Sequence, residues 1–84
     1  MRYTVDILRS AQKQLSKFHP EDRDRIINVI YALRDTPRPT GCKKLSGRPA
    51  WRIRVGACQM LYEIYDNRLV VLVVAVGIRG IIYR

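Results

Sequence analysis

The stretch Trp51-Arg52-Ile53-Arg54-Val55-Gly56-Ala57-Cys58-Gln59-Met60-Leu61-Tyr62 decides the fold. Trp51, Ile53 and Val55 alternate with Arg52 and Arg54, the period of a strand with one buried and one open face. The two guanidiniums then share the open face. Gly56-Ala57 is the length of a tight hairpin loop, and a two-residue loop sets Val55 opposite Cys58 and Arg54 opposite Gln59. The returning strand runs to Tyr65, and Asp66-Asn67 marks a second hairpin turn. Residues 69–76 are apolar at every position, as expected of a strand covered on both faces, and Gly77 ends it. No regular element is assigned to residues 78–84.

Upstream, Lys43-Lys44-Leu45 reads as a short edge strand and Ser46-Gly47-Arg48-Pro49 as a turn. At the start of the chain, Tyr3, Val5 and Ile7 alternate with Thr4, Asp6 and Leu8, a first strand facing the core on one side. Ser10 is the expected N-cap of a short helix whose apolar stripe is Ala11, Leu15 and Phe18. Pro20 suits the first position of a second helix, with Glu21, Asp22 and Asp24 at its positive end. Ile26, Ile27, Ile30, Tyr31 and Leu33 give that helix a broad buried face, and Pro37 and Pro39 stop it near Asp35. The expectation is one α+β domain over residues 1–84: an N-terminal strand, an αα-hairpin, then a curved antiparallel sheet of three to four strands. The helices cover one face of the sheet. The other face stays partly open and carries Arg52, Arg54 and Gln59.

Composition narrows the class. Apolar residues are 48% and charged residues 27% of 84, ordinary globular proportions that exclude a disordered tail or a disulfide scaffold. No apolar run reaches the roughly 18–20 residues that span a bilayer, and the charge at Asp6 argues against a signal peptide, so no membrane partner is expected. Two cysteines, Cys42 and Cys58, fit a reduced, cytoplasmic chain. Charge says more: 16 Lys+Arg against 7 Asp+Glu leave a formal net charge of +9. Between Asp35 and Glu63 there is no acid, while Arg38, Lys43, Lys44, Arg48, Arg52 and Arg54 all fall there. A surface built for solubility mixes its signs, so a polyanionic partner is the stronger reading.

Elimination then limits the chemistry. His19 is the one histidine, and no Cys or His pair has zinc spacing, so no metal is expected. The glycines form no phosphate-binding loop, and no cofactor is implied. Glu63 and Asp66, the only acids of the second half, read as strand-face and turn residues. His19 reads as a solvated turn residue and Cys58 as a small core residue. What remains is Arg52, Arg54 and Arg79 with Tyr83. Guanidinium forks hold phosphates bidentately, and such a set can cleave RNA without metal if a 2′-OH attacks its own phosphodiester. A merely solvated strand face fits Arg52 and Arg54 equally well, and Tyr83 fits a surface lid.

These segments resemble the RelE family of bacterial toxins, ribosome-dependent mRNA interferases of type II toxin–antitoxin pairs. The resemblance runs over nearly the whole chain: the opening strand and Ser10-Ala11, then Lys43-Lys44-Leu45-Ser46-Gly47-Arg48-Pro49. Its most specific parts are Trp51-Arg52-Ile53-Arg54-Val55-Gly56, Leu61-Tyr62-Glu63-Ile64, and Val76-Gly77-Ile78-Arg79 followed by Tyr83-Arg84. It implies a RelE-like fold and an endoribonuclease that cuts mRNA in the ribosomal A site and so inhibits translation. Arg52 and Arg54 then contact mRNA and assist proton transfer, Arg79 stabilises the scissile phosphate, and Tyr83 stacks on or orients the substrate. Lys43, Lys44 and Arg48 dock on ribosomal RNA. The implied partners are the ribosome with its mRNA and an acidic, partly disordered antitoxin. Many relatives carry Asp-Tyr-Arg where this chain has Ala57-Cys58-Gln59, and His and Glu near Arg79 where it has Ile78 and Ile81. Gln59 thus stands where a catalytic guanidinium is often held. That departure implies an alternative: a weak or inactive toxin, or a gyrase poison of the ParE type, acting through protein binding.

Overall fold

Val55 and Cys58 face each other across a two-residue hairpin, and Arg54 lies opposite Gln59, the register expected from the sequence. Gly56 has φ +60 and Ala57 keeps a negative φ, the pattern of a II′ turn, whose twist matches that of the flanking strands. The computed structural model describes residues 2–78. Around this hairpin the elements run β1 (Thr4–Ile7), α1 (Arg9–Ser16), α2 (Pro20–Ala32), β2 (Lys43–Lys44), β3 (Ala50–Val55), β4 (Cys58–Tyr65) and β5 (Val70–Ile78). The α+β class, the helical hairpin and the strands read from the sequence are all present.

Among the described residues the sheet has five strands in the order β1-β5-β4-β3-β2. From β2 to β5 neighbours are antiparallel; β1 adds a fifth strand at the edge, parallel to β5. The sheet is therefore mixed. The αα-hairpin carries the chain from β1 to the opposite edge at β2, and the antiparallel run from β2 to β5 then brings it back beside β1.

Four local expectations are corrected. Ser10 lies inside α1 rather than capping it; the N-cap is Leu8, with no side-chain cap bond. The reason is tethering: the Leu8 N–H still bonds the Val73 carbonyl (3.0 Å), while its own carbonyl already accepts from the Gln12 N–H (2.9 Å). Leu69 is not in the strand but has φ 54, the left-handed residue closing a four-residue loop between Tyr65 and Val70. Gly77 does not end β5, because it still pairs with Gln59. Tyr31 is 60% exposed and leaves the buried face of α2 to Ile26, Ile30 and, just past the helix, Leu33. His19 is exposed as expected, and its Nδ1 also accepts from the Glu21 N–H (3.4 Å), capping α2 ahead of Pro20.

One face of the sheet makes the core. Ile53, Cys58, Met60, Tyr62, Ile64, Val71, Val73 and Val76 pack there against Ala11, Leu15, Ile26, Ile30 and Leu33 of the helical hairpin. A bulge keeps β5 in phase. Leu61 pairs with Ala75 but Tyr62 with Val73, so Val74 is the extra residue and the buried set shifts from 71 and 73 to 76. The return from α2 to β2 is pinned at its prolines. The Tyr62 hydroxyl donates to the Pro37 carbonyl (3.0 Å), and burial raises the Tyr62 phenol far above its ordinary range. Arg38 forks onto Asp66 (3.2 and 2.8 Å) and lies 5.2 Å over the Trp51 ring, while the Tyr3 hydroxyl donates to the same carboxylate (2.5 Å). These two donors hold the Asp66 carboxyl below its ordinary value. The site strands thus rest on a frame fixed at the end away from the Gly56 turn.

Candidate functional site

Alternation along each strand sorts the site residues. Val55, Ile53 and Trp51 pair with Cys58, Met60 and Tyr62 on the helix-covered face, so Arg54, Arg52, Gln59 and Leu61 point the other way. Arg52 and Arg54 are two residues apart on one strand, roughly 7 Å at the rise of a β-strand. Lys43 lies opposite Arg52 and joins the same face. Arg54 and Lys43 are exposed, and Arg52 and Gln59 half-buried. Lys43, Arg52, Arg54 and Gln59 therefore share one face of the sheet.

The arginines are available as charges. Among the described residues the ion pairs are Arg2 with Asp35 and Arg38 with Asp66, and neither involves Arg52 or Arg54. The same face carries Thr4 and Asp6 on β1, and Glu63 on β4, which accepts from the Tyr65 hydroxyl. Positive charge therefore collects on the β2–β3 side and the acids toward β1. The floor between them is apolar, with Leu61 buried and Leu72, Val74 and Ala75 half-buried.

Not every expected site residue joins this group. Lys44 pairs with Trp51 and so projects to the opposite face from Lys43. Arg48 is exposed in the loop between β2 and β3. Arg79 and Tyr83, with Ile81, lie outside the described residues. One cation was missed by sequence reading: Arg25, on the exposed side of α2. A side-chain carbon added at Gly56 would stand 3.4 Å from its Nη1, so its guanidinium reaches the turn that joins Arg54 to Gln59. Nothing in a helical pattern signals that approach. Cys58, by contrast, is ruled out as a nucleophile: it is fully buried, and burial pushes its thiol up.

A second surface lies on the other side of the molecule. Val5, Ile7, Leu15, Ile27 and the exposed Tyr31 line a groove of about 610 Å³, with Arg2 and Arg34 also on its wall. Among the described residues no three His, Cys, Asp or Glu side chains gather as a metal-ligand set, and no helix is long and apolar enough to cross a membrane.

Neither family models nor curated protein sequences match the chain. Solved structures do. The archaeal RelE–RelB complex from Pyrococcus horikoshii matches with a TM-score of 0.86 at 23% identity, over 95% of this chain and 98% of that one. The Mycobacterium tuberculosis RelBE2 toxin–antitoxin complex gives 0.84 at 24% identity, over 94% and 100%. A mutant of the E. coli toxin RelE in the free state gives 0.81 at 25% identity, over 95% and 86%. The resemblance read from the sequence is borne out at the level of the fold: the chain has the RelE fold.

Proposed function

We propose that this chain, built on the RelE fold, is the toxin of a type II toxin–antitoxin pair that cleaves mRNA in the ribosomal A site. The observation that carries the reading is the open face bearing Arg52 and Arg54 beside Gln59, with no carboxylate paired to either arginine among the described residues. A ribonucleotide chain along this face meets donors that stay protonated at every working pH. Cleavage needs no metal cofactor in this scheme. The 2′-oxygen bonds to phosphorus, the bond from phosphorus to O5′ breaks, the 2′-OH loses its proton and O5′ gains one. Negative charge on the phosphoryl oxygens grows toward the transition state, and fixed guanidiniums stabilise it there more than in the ground state. By the sequence resemblance, Arg79 is assigned to the scissile phosphate and Tyr83 to orienting the reacting nucleotide. Lys43, Lys44 and Arg48 are assigned to docking on ribosomal RNA. The site of action is the cytoplasm.

Gln59 sets the level of activity. Its amide donates a hydrogen bond but carries no charge, and one charge-stabilising donor is worth on the order of 10²–10³ in rate. Gln59→Arg is expected to raise kcat for cleavage at least threefold. A fall instead means that the face is built around the amide. The neutral Gln59, with Ile78 and Ile81, also supports the second reading, a weak or inactive toxin or a ParE-like gyrase poison. Induced expression in bacteria separates the readings. Arrest with codon-positioned mRNA cuts supports cleavage, filamentation with DNA damage supports gyrase poisoning, and harmless expression leaves the inactive protein.

The proposed partner is an acidic antitoxin. A net charge of +9 favours it, and the apolar groove with Arg2 and Arg34 on its wall suits an amphipathic acidic segment. Tyr31 is the exposed aromatic there, the residue type that most often anchors an interface. Tyr31→Glu is expected to weaken the toxin–antitoxin complex at least tenfold in a calorimetric titration and to leave cleavage unchanged. Wild-type affinity in that variant would remove the groove from the interface.

A further inference from the structure

Strand β5 outlasts its neighbour β1. Their pairing covers Thr4–Ile7, and the Leu8 N–H makes a further bond on that edge, to the Val73 carbonyl (3.0 Å). There the chain leaves the sheet for α1, while β5 continues to Ile78. The bulge at Val74 then swaps the alternation. Ala75 and Gly77 pair with Leu61 and Gln59, so the Val76 N–H faces the edge that β1 has left. A side chain meets it. Gln14 Oε1 accepts the Val76 N–H at 2.9 Å in a part-buried setting. The amide is held by its helix, whose Ala11 and Leu15 are buried in the core. From the same helix, Gln12 Nε2 donates to the Ile7 carbonyl (2.9 Å) and closes the end of β1.

We propose that Gln14 is a positioning residue for the open face: it takes up the Val76 N–H beyond the reach of β1 and holds this stretch of β5, keeping Gly77 in register opposite Gln59. A backbone hydrogen bond at Val76 opposes local opening of β5 at that residue. The cross-strand row Arg54, Gln59, Gly77 spans three strands, so a slip at β5 moves the amide beside the arginines. The catalytic part of this inference rests on the cleavage reading given above; the anchoring part does not.

Three variants test it. Gln14→Leu removes the acceptor, Gln14→Asn withdraws it by one methylene without losing polarity, and Gln14→Glu keeps an acceptor at the same reach. Amide hydrogen exchange followed by NMR is the first readout. In the Leu and Asn variants, exchange at Val76 is expected to rise about five- to tenfold while the amides shared by β3 and β4 keep their rates. In ribosome-programmed cleavage the same variants are expected to lose at least threefold in kcat at unchanged KM, and Gln14→Glu to recover most of it. Unchanged exchange at Val76, or equal acceleration across the whole sheet, overturns the proposal. So does a local rise in exchange with wild-type kcat. If the wild-type protein cleaves nothing, the cleavage reading fails alone, and the exchange rates still uphold or overturn the anchor.

Discussion

Replacing Arg54 by alanine is expected to lower mRNA cleavage on programmed ribosomes at least tenfold, and by as much as about 10²–10³ if the guanidinium acts as a full electrostatic donor. Three observations set the size. Arg54 is exposed on the open face, is not ion-paired among the described residues, and lies opposite Gln59, which has no charge to take over its work. The fold should survive, since an exposed strand position away from caps and core changes stability by no more than about 0.5 kcal/mol. Kinetics at saturating and limiting ribosome concentrations then assign the loss to kcat or KM, because removing a charge felt mainly in the transition state lowers kcat. Unchanged cleavage by a folded Arg54→Ala protein would move the reaction away from this face.

The second large effect is structural. Tyr62 is fully buried at the centre of the helix-covered face, and its hydroxyl holds the linker through the Pro37 carbonyl. Tyr62→Ala removes an aromatic ring that the core has no spare side chain to replace, at a cost of about 3–5 kcal/mol. An 84-residue domain has roughly 4–13 kcal/mol in all. The variant is thus expected to be largely unfolded or to melt more than about 12 °C below wild type by calorimetry. Tyr62→Phe separates the ring from the hydroxyl. It keeps the packing, leaves the Pro37 carbonyl without its donor, and should cost about 1 kcal/mol. Equal losses in the two variants would mean that the hydroxyl, not the ring, carries the stability.

Much of this was legible in the sequence, and the limits have physical causes. The β3–β4 hairpin was readable because strand period and turn length act over a dozen residues, and together they fix which side chains face out. The parallel seat of β1 was not, since its partner is β5 at the far end of the chain and no local pattern encodes that choice. Nor was the bulge at Val74, because an all-apolar run hides a shift in alternation. The site splits the same way. Arg52, Arg54 and Gln59 follow from alternation, whereas Arg25 reaches Gly56 only through the packing of a helix on a turn. Lys43 and Lys44, read as a short edge strand and grouped as docking residues only by the resemblance, are turned to opposite faces by strand pairing. Gln12 and Gln14 lie off the apolar stripe of Ala11, Leu15 and Phe18, yet each bonds a backbone group of the sheet edge. Arg52 and Arg54 share one face as alternation requires, Arg54 exposed and Arg52 half-buried, while Arg79 and Tyr83 stay tied to the sequence resemblance.

The most direct test is to map the ends of mRNA fragments made when the purified protein meets programmed ribosomes. Attack by a neighbouring 2′-OH predicts cuts inside the A-site codon that leave a 2′,3′-cyclic phosphate and a 5′-hydroxyl. Intact mRNA, or fragments bearing a 5′-phosphate from attack by water, would contradict it.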